Sequence, residues 1–242
     1  MISIVSPVFD SEKCLNKLVY KINFNIRKIT NNYEILLVDD GSSDNSWKKI
    51  VKLKKKYPSI KGVRLSKNYG QQCAIYKGIK LSKFHTIIVM DCDLQDDPTH
   101  IPELYKKFVK HETPVIAKNY YKNFQLKNII ISNIFWTILS ILSFKNFSYK
   151  FGNYLIFGKK SKKKYLRIKT IGSLYGDLIK NNVNFKEINV LRCESIREKS
   201  TYNLYKLIKY SLILLSNYNL LNNFFENYIK KKKIYIKVQE II

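Results

Sequence analysis

The run Ile87-Ile88-Val89-Met90 drives straight into Asp91, Asp93, Asp96 and Asp97 and stops at Pro98. A buried strand that ends in clustered acids puts charge at the carboxyl edge of a sheet, where open α/β folds bind ligands. Asp91 and Asp93 lie two apart, so in an extended segment they point to the same side. Like charges held that close repel, and a divalent cation relieves the repulsion. A lone D-x-D is equally compatible with a solvated acidic turn, so the weight falls on the neighbouring sequence.

Upstream, apolar strands alternate with amphipathic helices. Ile2 to Ser6 reads as a strand closed by Pro7, followed by a helix from Asp10 or Ser11 to about Ile29 with Leu15, Leu18, Val19, Ile22 and Ile26 at helical spacing. Glu34 to Val38 is a second strand that runs into Asp39-Asp40-Gly41-Ser42. A helix capped by Asp44 or Ser46, a strand over Ile60 to Leu65, a helix opening at Gly70 and the strand Thr86 to Met90 follow. Pro98 suits the first turn of a helix reaching about Lys110. Such alternation predicts βαβ units, a mostly parallel sheet and an α/β fold. Two strands end in acids, at Asp39/Asp40 and at Asp91/Asp93. Parallel strands put both ends on one edge, which predicts a site. The chain has no G-x-G-x-x-G and no G-x-x-x-x-G-K-[ST], so dinucleotide-fold and P-loop readings lose their main support.

At 242 residues the chain is long enough for a full core. The net charge of +26 favours anionic partners: nucleic acid, phosphorylated substrates or an anionic membrane face. A Lys-, Asn-, Ile- and Tyr-rich composition, as A/T-rich coding would give, accounts for the same excess. Cys14, Cys73, Cys92 and Cys193 form no C-x-x-C pair, which argues for reduced thiols in a cytosolic compartment and against a zinc site. Met1 runs directly into a strand-like segment, so no signal peptide is expected.

Four segments come in the order and spacing of family 2 glycosyltransferases: Ser6-Pro7-Val8-Phe9, Leu37 to Asp44, Leu65 to Gln72, and Met90 to Asp96. Within that family the D-x-D-L-Q-D run and the L-S-K-N-Y-G-Q-Q segment resemble the polyprenyl-phosphate branch, which includes dolichol-phosphate mannose synthases. The match is close over residues 1–120 and looser over 121–215. The resemblance implies a GT-A fold with a mostly parallel central sheet flanked by helices, a nucleotide-diphosphate sugar donor, and Mg²⁺ or Mn²⁺. It implies nucleoside or nucleotide contacts for Pro7, Phe9, Val38, Asp40 and Asp91, and metal ligation by Asp93 and Gln95. Phe9 as a core residue, Gln95 as a turn cap and Asp39 as a helix-cap partner are the structural alternatives. Lys67, Asn68 and Gln72 read as scaffolding around the site.

In the second half, Val115 to Ala117 and Val183 to Leu191 read as strands. Residues 129–144 are apolar and aromatic but shorter than the ~20 residues that span a bilayer. A core helix, an interfacial helix or a face for homo-oligomer formation all fit; the resembled branch favours an interfacial helix reaching a lipid acceptor. Phe151 to Phe157 reads as a strand beside the site. The family usually carries an Asp, often proposed as catalytic base, where this chain has Asn153. An amide cannot take that proton. A phosphate acceptor is already anionic, whereas a sugar hydroxyl needs a base more. Arg197-Glu198-Lys199-Ser200 resembles a phosphate-gripping loop of the branch, with Ser195 and Glu198 departing from its Arg and Gly. Arg197 and Lys199 therefore stand, with Asp93, as catalytic candidates. Asn119 replaces another Arg, for which Lys118 or Lys122 is a substitute. Leu204 to Leu221 reads as an amphipathic helix and Lys230 to Lys233 as a basic run that suits anionic lipid.

These features divide the chain into a glycosyltransferase domain, 1–200, and a C-terminal amphipathic helix with basic tail, 201–242. The expected activity is inverting, metal-assisted sugar transfer to a membrane acceptor, polyprenyl phosphate, at the inner face of a bacterial plasma membrane. Transfer to a saccharide in O-antigen or capsule synthesis is the alternative. A catalytically silent nucleotide-sugar-binding homologue is a further one, motivated by Asn119, Asn153, Ser195 and Glu198. Nucleic-acid binding rests on charge alone, without a binding motif, and is not expected.

Overall fold

Period-two patterning along the strands sorts side chains onto two faces of one sheet. The computed structural model describes residues 1–120, 137, 151–168, 171–192 and 236–242. Strands are β1 (Ile2–Val8), β2 (Tyr33–Asp39), β3 (Ile60–Leu65), β4 (Thr86–Val89), β5 (Val115–Tyr120), β6 (Phe151–Phe157), β7 (Lys186–Leu191) and β8 (Val238–Ile241). Helices are α1 (Glu12–Ile26), α2 (Ser46–Lys56), α3 (Gln71–Leu81), α4 (Ile101–His111), α5 (Lys159–Leu166) and α6 (Leu174–Lys180), with a 3₁₀ turn at Pro98–His100 before α4. The strand order among the described residues is β7-β5-β6-β4-β1-β2-β3-β8.

Ile2, Ile4 and Val8 of β1, with Ile35 and Leu37 of β2, pack under α1, α2 and α4. Val5, Leu36, Ile87 and Val89 face α3, α5 and α6 on the other side. The result is a three-layer α/β/α sandwich, as the alternation of elements predicts. The five α1 residues at helical spacing, Leu15, Leu18, Val19, Ile22 and Ile26, are all fully buried. At roughly 1.5–3 kcal/mol per fully buried aliphatic side chain, that face alone holds the helix on the sheet.

Strands β1 to β4 are mutually parallel, β6 and β8 run against them, and β5 and β7 run with them. The ends of β1, β2, β3, β4, β5 and β7 and the starts of β6 and β8 therefore share one rim.

Two local expectations are corrected, and one strand is added to those read from the sequence. Pro7 does not close β1 but lies within it. Met90 N–H donates to Val5 O and Asp40 N–H to Val8 O, so Pro7 faces the β4 side beyond the end of that strand, where no ladder donor is needed. Strand β4 ends at Val89, and Asp91 to Asp97 form turns with Leu94 at φ 65, so Asp91 and Asp93 are not on an extended segment. The C-terminal residues 238–241 form β8 on the edge of β3, with reciprocal Gly62–Ile242 backbone bonds and Trp47 Nε1 donating to Glu240 Oε2 at 3.1 Å. The expected helices over 129–144 and Leu204 to Leu221, and the basic run 230–233, lie outside the described residues. No helix among the described residues is long and apolar enough to cross a membrane.

Candidate active site

Asp40 and Asp91 lie on one rim, and a single segment, Tyr69 to Gln72, contacts both. Asp40 follows β2 directly. Its Oδ1 accepts from Tyr69 N–H and its Oδ2 from Gly70 N–H, both at 2.8 Å. One residue on, Gln71 Nε2 donates to Asp91 Oδ1 at 2.7 Å. Gln72 Nε2 donates to Asn153 Oδ1 at 3.2 Å, while Gln72 Oε1 accepts from Leu174 N–H at 2.9 Å. Asn153 Nδ2 completes the circuit with a long 3.4 Å contact to Asp91 Oδ1. Gly70 makes this path possible: at φ 97 it turns the chain into α3 in a conformation most residues avoid.

Burial pushes the Asp40 carboxyl up to about 6 even against its two amide donors, and Asp39 beside it adds to the shift. Asp39 points elsewhere. Its Oδ1 accepts from Ser42 N–H at 3.3 Å and its Oδ2 lies 3.4 Å from Arg64 Nε, which makes it a turn-stabilising residue rather than a partner in a helix cap. Burial, then the charge of Asp40, raise the Cys73 thiol to about 11, so it remains protonated.

Around the D-x-D turn, Asp93 Oδ1 accepts from Gln95 N–H at 3.1 Å. Gln95 is not only a turn residue: its Oε1 accepts from Arg192 Nη2 at 2.9 Å. Asp96 is buried and its Oδ2 accepts from Asp91 N–H at 2.9 Å, which fixes the turn. Burial, then Asp91, raise the Asp96 carboxyl, while Arg192 opposes the rise. Pro7 is buried on β1 and Phe9 half-buried at the rim. Val38 is fully buried among Val63, Leu65 and Ala74, so its side chain belongs to the core beneath the site. Arg197, Lys199 and Lys122 lie outside the described residues. Lys118, one substitute considered for the Arg replaced by Asn119, instead pairs with Glu187 on β7 at 2.7 Å.

Gln71 and Arg192 were given no role from the sequence, and Asp96 was read only as one of the clustered acids. A glutamine at the start of a helix after a strained glycine was the only local sign for the first. Arg192 carried none, because its partner lies 97 positions away.

Aspartates 91 and 93 with the Gln95 amide offer hard oxygens of the kind Mg²⁺ and Mn²⁺ take. No group of three His, Cys, Asp or Glu side chains among the described residues is placed to hold a metal alone. Asp40 is committed to backbone amides. The donor set thus fits a cation that shares its coordination with ligand oxygens such as those of a diphosphate.

A three-layer α/β sandwich with paired acidic strand ends on one rim defines an open α/β architecture that binds ligands at the carboxyl edge of its sheet. Residues 3–167 match the model of glycosyl transferase family 2, and the chain belongs to that family. It is 32% identical over 127 residues to the dolichol-phosphate mannosyltransferase of Pyrococcus furiosus, covering 52% of this chain and 35% of that one. It is 37% identical over 105 residues to the undecaprenyl-phosphate 4-deoxy-4-formamido-L-arabinose transferase of Aeromonas hydrophila, covering 43% and 32% respectively. The aligned part thus spans about one third of each relative. Glucosyl-3-phosphoglycerate synthase from Mycobacterium tuberculosis, solved with Mn²⁺, uridine diphosphate and phosphoglyceric acid, shares the fold: TM-score 0.64 at 14% identity, over 90% of this chain and 78% of that one. The GT-A expectation is thereby met.

Proposed function

We propose that this chain is a glycosyltransferase that moves a sugar from a nucleotide-diphosphate donor to a phosphate-bearing acceptor, polyprenyl phosphate, at the inner face of a bacterial plasma membrane. One observation carries the reading: Asp40 and Asp91, from two strands of one rim, are tied to consecutive residues Gly70 and Gln71. That arrangement supports a reading in which the nucleoside lies beside the diphosphate.

The two amides that Asp40 holds shape the wall on which the base rests, together with Pro7 and Phe9. Asp91, Asp93 and Gln95 would hold Mg²⁺ or Mn²⁺ with the donor diphosphate. A bound cation would neutralise charge on the departing nucleoside diphosphate. Arg197 and Lys199 would add cationic groups on the phosphates. Attack by an acceptor oxygen on the anomeric carbon opposite the leaving group forms one bond as the other breaks, so the centre inverts.

Asn153 supports a phosphate acceptor. It sits where a base would act, yet its amide is held by Gln72 and Asp91 and takes no proton. A phosphate oxygen is anionic near neutrality and needs no base. The relatives, a dolichol-phosphate mannosyltransferase and an undecaprenyl-phosphate 4-deoxy-4-formamido-L-arabinose transferase, support the same acceptor class.

The test is transfer of labelled sugar from UDP-, GDP- and dTDP-sugars with Mn²⁺ to polyprenyl phosphate and to oligosaccharides. Transfer to the lipid phosphate that disappears in Asp93→Ala is the expected result. Full activity of Asp93→Ala would remove the metal role, and transfer to oligosaccharide alone would replace the acceptor.

A further inference from the structure

Helices α1 and α2 cover one side of the sheet, and their outer faces meet in a trough. Two contiguous hollows of about 620 and 440 Å³ make it up, joined at Tyr20 and Tyr57. The trough follows α1, whose 15 residues extend about 22 Å from the rim toward the opposite edge of the sheet. Its walls carry one sign of charge. Glu12, at the rim end, is the single acid on the two helices. Lys48, Lys52 and Lys56 stand at four-residue spacing along α2 and have no carboxylate partner among the described residues. Like charges at that spacing disfavour a helix, so the row is unfavourable for folding alone. An anionic surface laid along it removes the repulsion.

Tyr20, Phe24 and Lys28 form a second row, at the same spacing, on α1. Tyr20 is 62% exposed and Phe24 57%. The two rings stack with centroids 6.4 Å apart, and Lys28 Nζ sits 4.4 Å over the Phe24 ring. Tyr20 comes from the preceding turn and Lys28 from the following one, so Phe24 is flanked on its ring faces and offers its edge. A nucleic-acid base needs an open ring face to stack on. A bilayer interface instead takes aromatic side chains with cations beside them. Helix α5, on the other side of the sheet, is just as rich in lysine, yet Lys162 and Lys164 donate to backbone carbonyls there. None of the large exposed apolar side chains among the described residues lies on α5. The pairing of unpartnered lysines with an aromatic ridge therefore belongs to the α1/α2 face and is not a general consequence of composition.

We propose that the α1/α2 trough is a docking surface for an anionic phospholipid bilayer. Lys48, Lys52 and Lys56 meet lipid phosphates, and Tyr20 and Phe24 enter the headgroup layer beside Lys28. Charge complementarity selects this occupant, because a trough of one sign on a chain of net charge +26 repels a second copy of itself. The surface uses no residue of the donor site and stands apart from the sugar-transfer reading. Docking through it brings the rim end of α1 beside the headgroups.

The experiment sediments the full chain with vesicles of phosphatidylcholine alone or mixed equally with phosphatidylglycerol, and follows UDP binding with Mn²⁺ in parallel. At about fivefold per lysine near an anionic surface, the triple variant Lys48→Gln, Lys52→Gln, Lys56→Gln should lose roughly a hundredfold in binding to the mixed vesicles. The triple variant Lys159→Gln, Lys160→Gln, Lys163→Gln removes the same charge from the other side of the sheet and should lose less than about tenfold. Tyr20→Ser with Phe24→Ser should abolish the binding that survives high salt, which screens exposed charge but not apolar burial. Equal losses in the two triple variants, equal binding to neutral and mixed vesicles, or unchanged salt-resistant binding without the two aromatics overturns the proposal. Tighter binding of a single-stranded oligonucleotide or a polyglutamate peptide than of the mixed vesicles, lost in the α2 triple variant, assigns the face to another partner and overturns it as well. Should the unmodified chain bind mixed vesicles but not UDP, the donor reading falls and the docking surface stands.

Discussion

Replacing Gly41 by alanine probes whether the fold and the nucleotide site are one mechanical unit. Gly41 sits at φ 69 directly after Asp40. A Cβ there would lie 2.7 Å from Lys67 C and 2.8 Å from Asn68 N, both backbone atoms. Restoring an ordinary 3.4 Å contact moves that backbone by 0.7 Å. The next two amides, of Tyr69 and Gly70, are those bound to Asp40 at 2.8 Å, so the same shift stretches them to the limit of a hydrogen bond. The loop cannot yield on its outer side without strain, because the Tyr69 hydroxyl meets Ser66 Oγ at 3.1 Å and the Lys237 amide at 3.4 Å. Left-handed backbone costs alanine ~1 kcal/mol, and two amide bonds to a carboxylate are worth ~1.5 kcal/mol each. Gly41→Ala should therefore lose ~4 kcal/mol of unfolding free energy by urea titration and weaken UDP binding by calorimetry. Gly70→Ala meets no described atom within 4 Å, so any loss there comes from the backbone at φ 97 alone and separates conformational strain from a steric push on the loop. A Gly41→Ala protein with unchanged UDP affinity and a loss below ~1 kcal/mol would refute the coupling of Gly41 to Asp40.

Donor affinity should fall as pH drops through about 6, because protonated Asp40 loses an acceptor for one of its two amides; UDP titrations between pH 5 and 8 check this. The stability sign is opposite: a carboxyl raised on folding costs stability as pH rises from its unfolded value through about 6, so Asp40's own contribution is more favourable at low pH. Asn153→Asp places a second carboxylate 3.4 Å from Asp91 Oδ1. It should give no gain in transfer to a prenyl phosphate, and a rate gain confined to sugar-hydroxyl acceptors would point to base catalysis. Removing residues 237–242 strips the edge pairing, the Trp47–Glu240 bond and the Lys237 amide from Tyr69, and should expose Trp47 to quenching by acrylamide and loosen donor binding through Tyr69. Lys162→Met leaves Ser82 O, Ser82 Oγ and Phe84 O without their buried ammonium donor, and a loss of ~3 kcal/mol should show in thermal unfolding.

Where apolar periodicity is strong, the sequence and the structure agree closely. Strand β3 runs over Ile60–Leu65 as read, and α1 buries every apolar position assigned to it. Parallel alternation also predicted that Asp40 and Asp91 share a rim, because strand direction follows from the βαβ connection rather than from any distant contact. Boundaries were less legible. Pro7 stops a strand in a central position, but not beyond the end of its neighbour, and that depends on where β4 ends.

The chain alone therefore determined the layers, the rim and the acids upon it, since these follow from patterns only a few residues long. Tertiary structure decided the rest. Strand β8 pairs Val63 with Ile241, Arg192 reaches Gln95, and Gln71 reaches Asp91. Each of those contacts joins residues remote in sequence, and no local periodicity encodes which ones the folded sheet sets side by side.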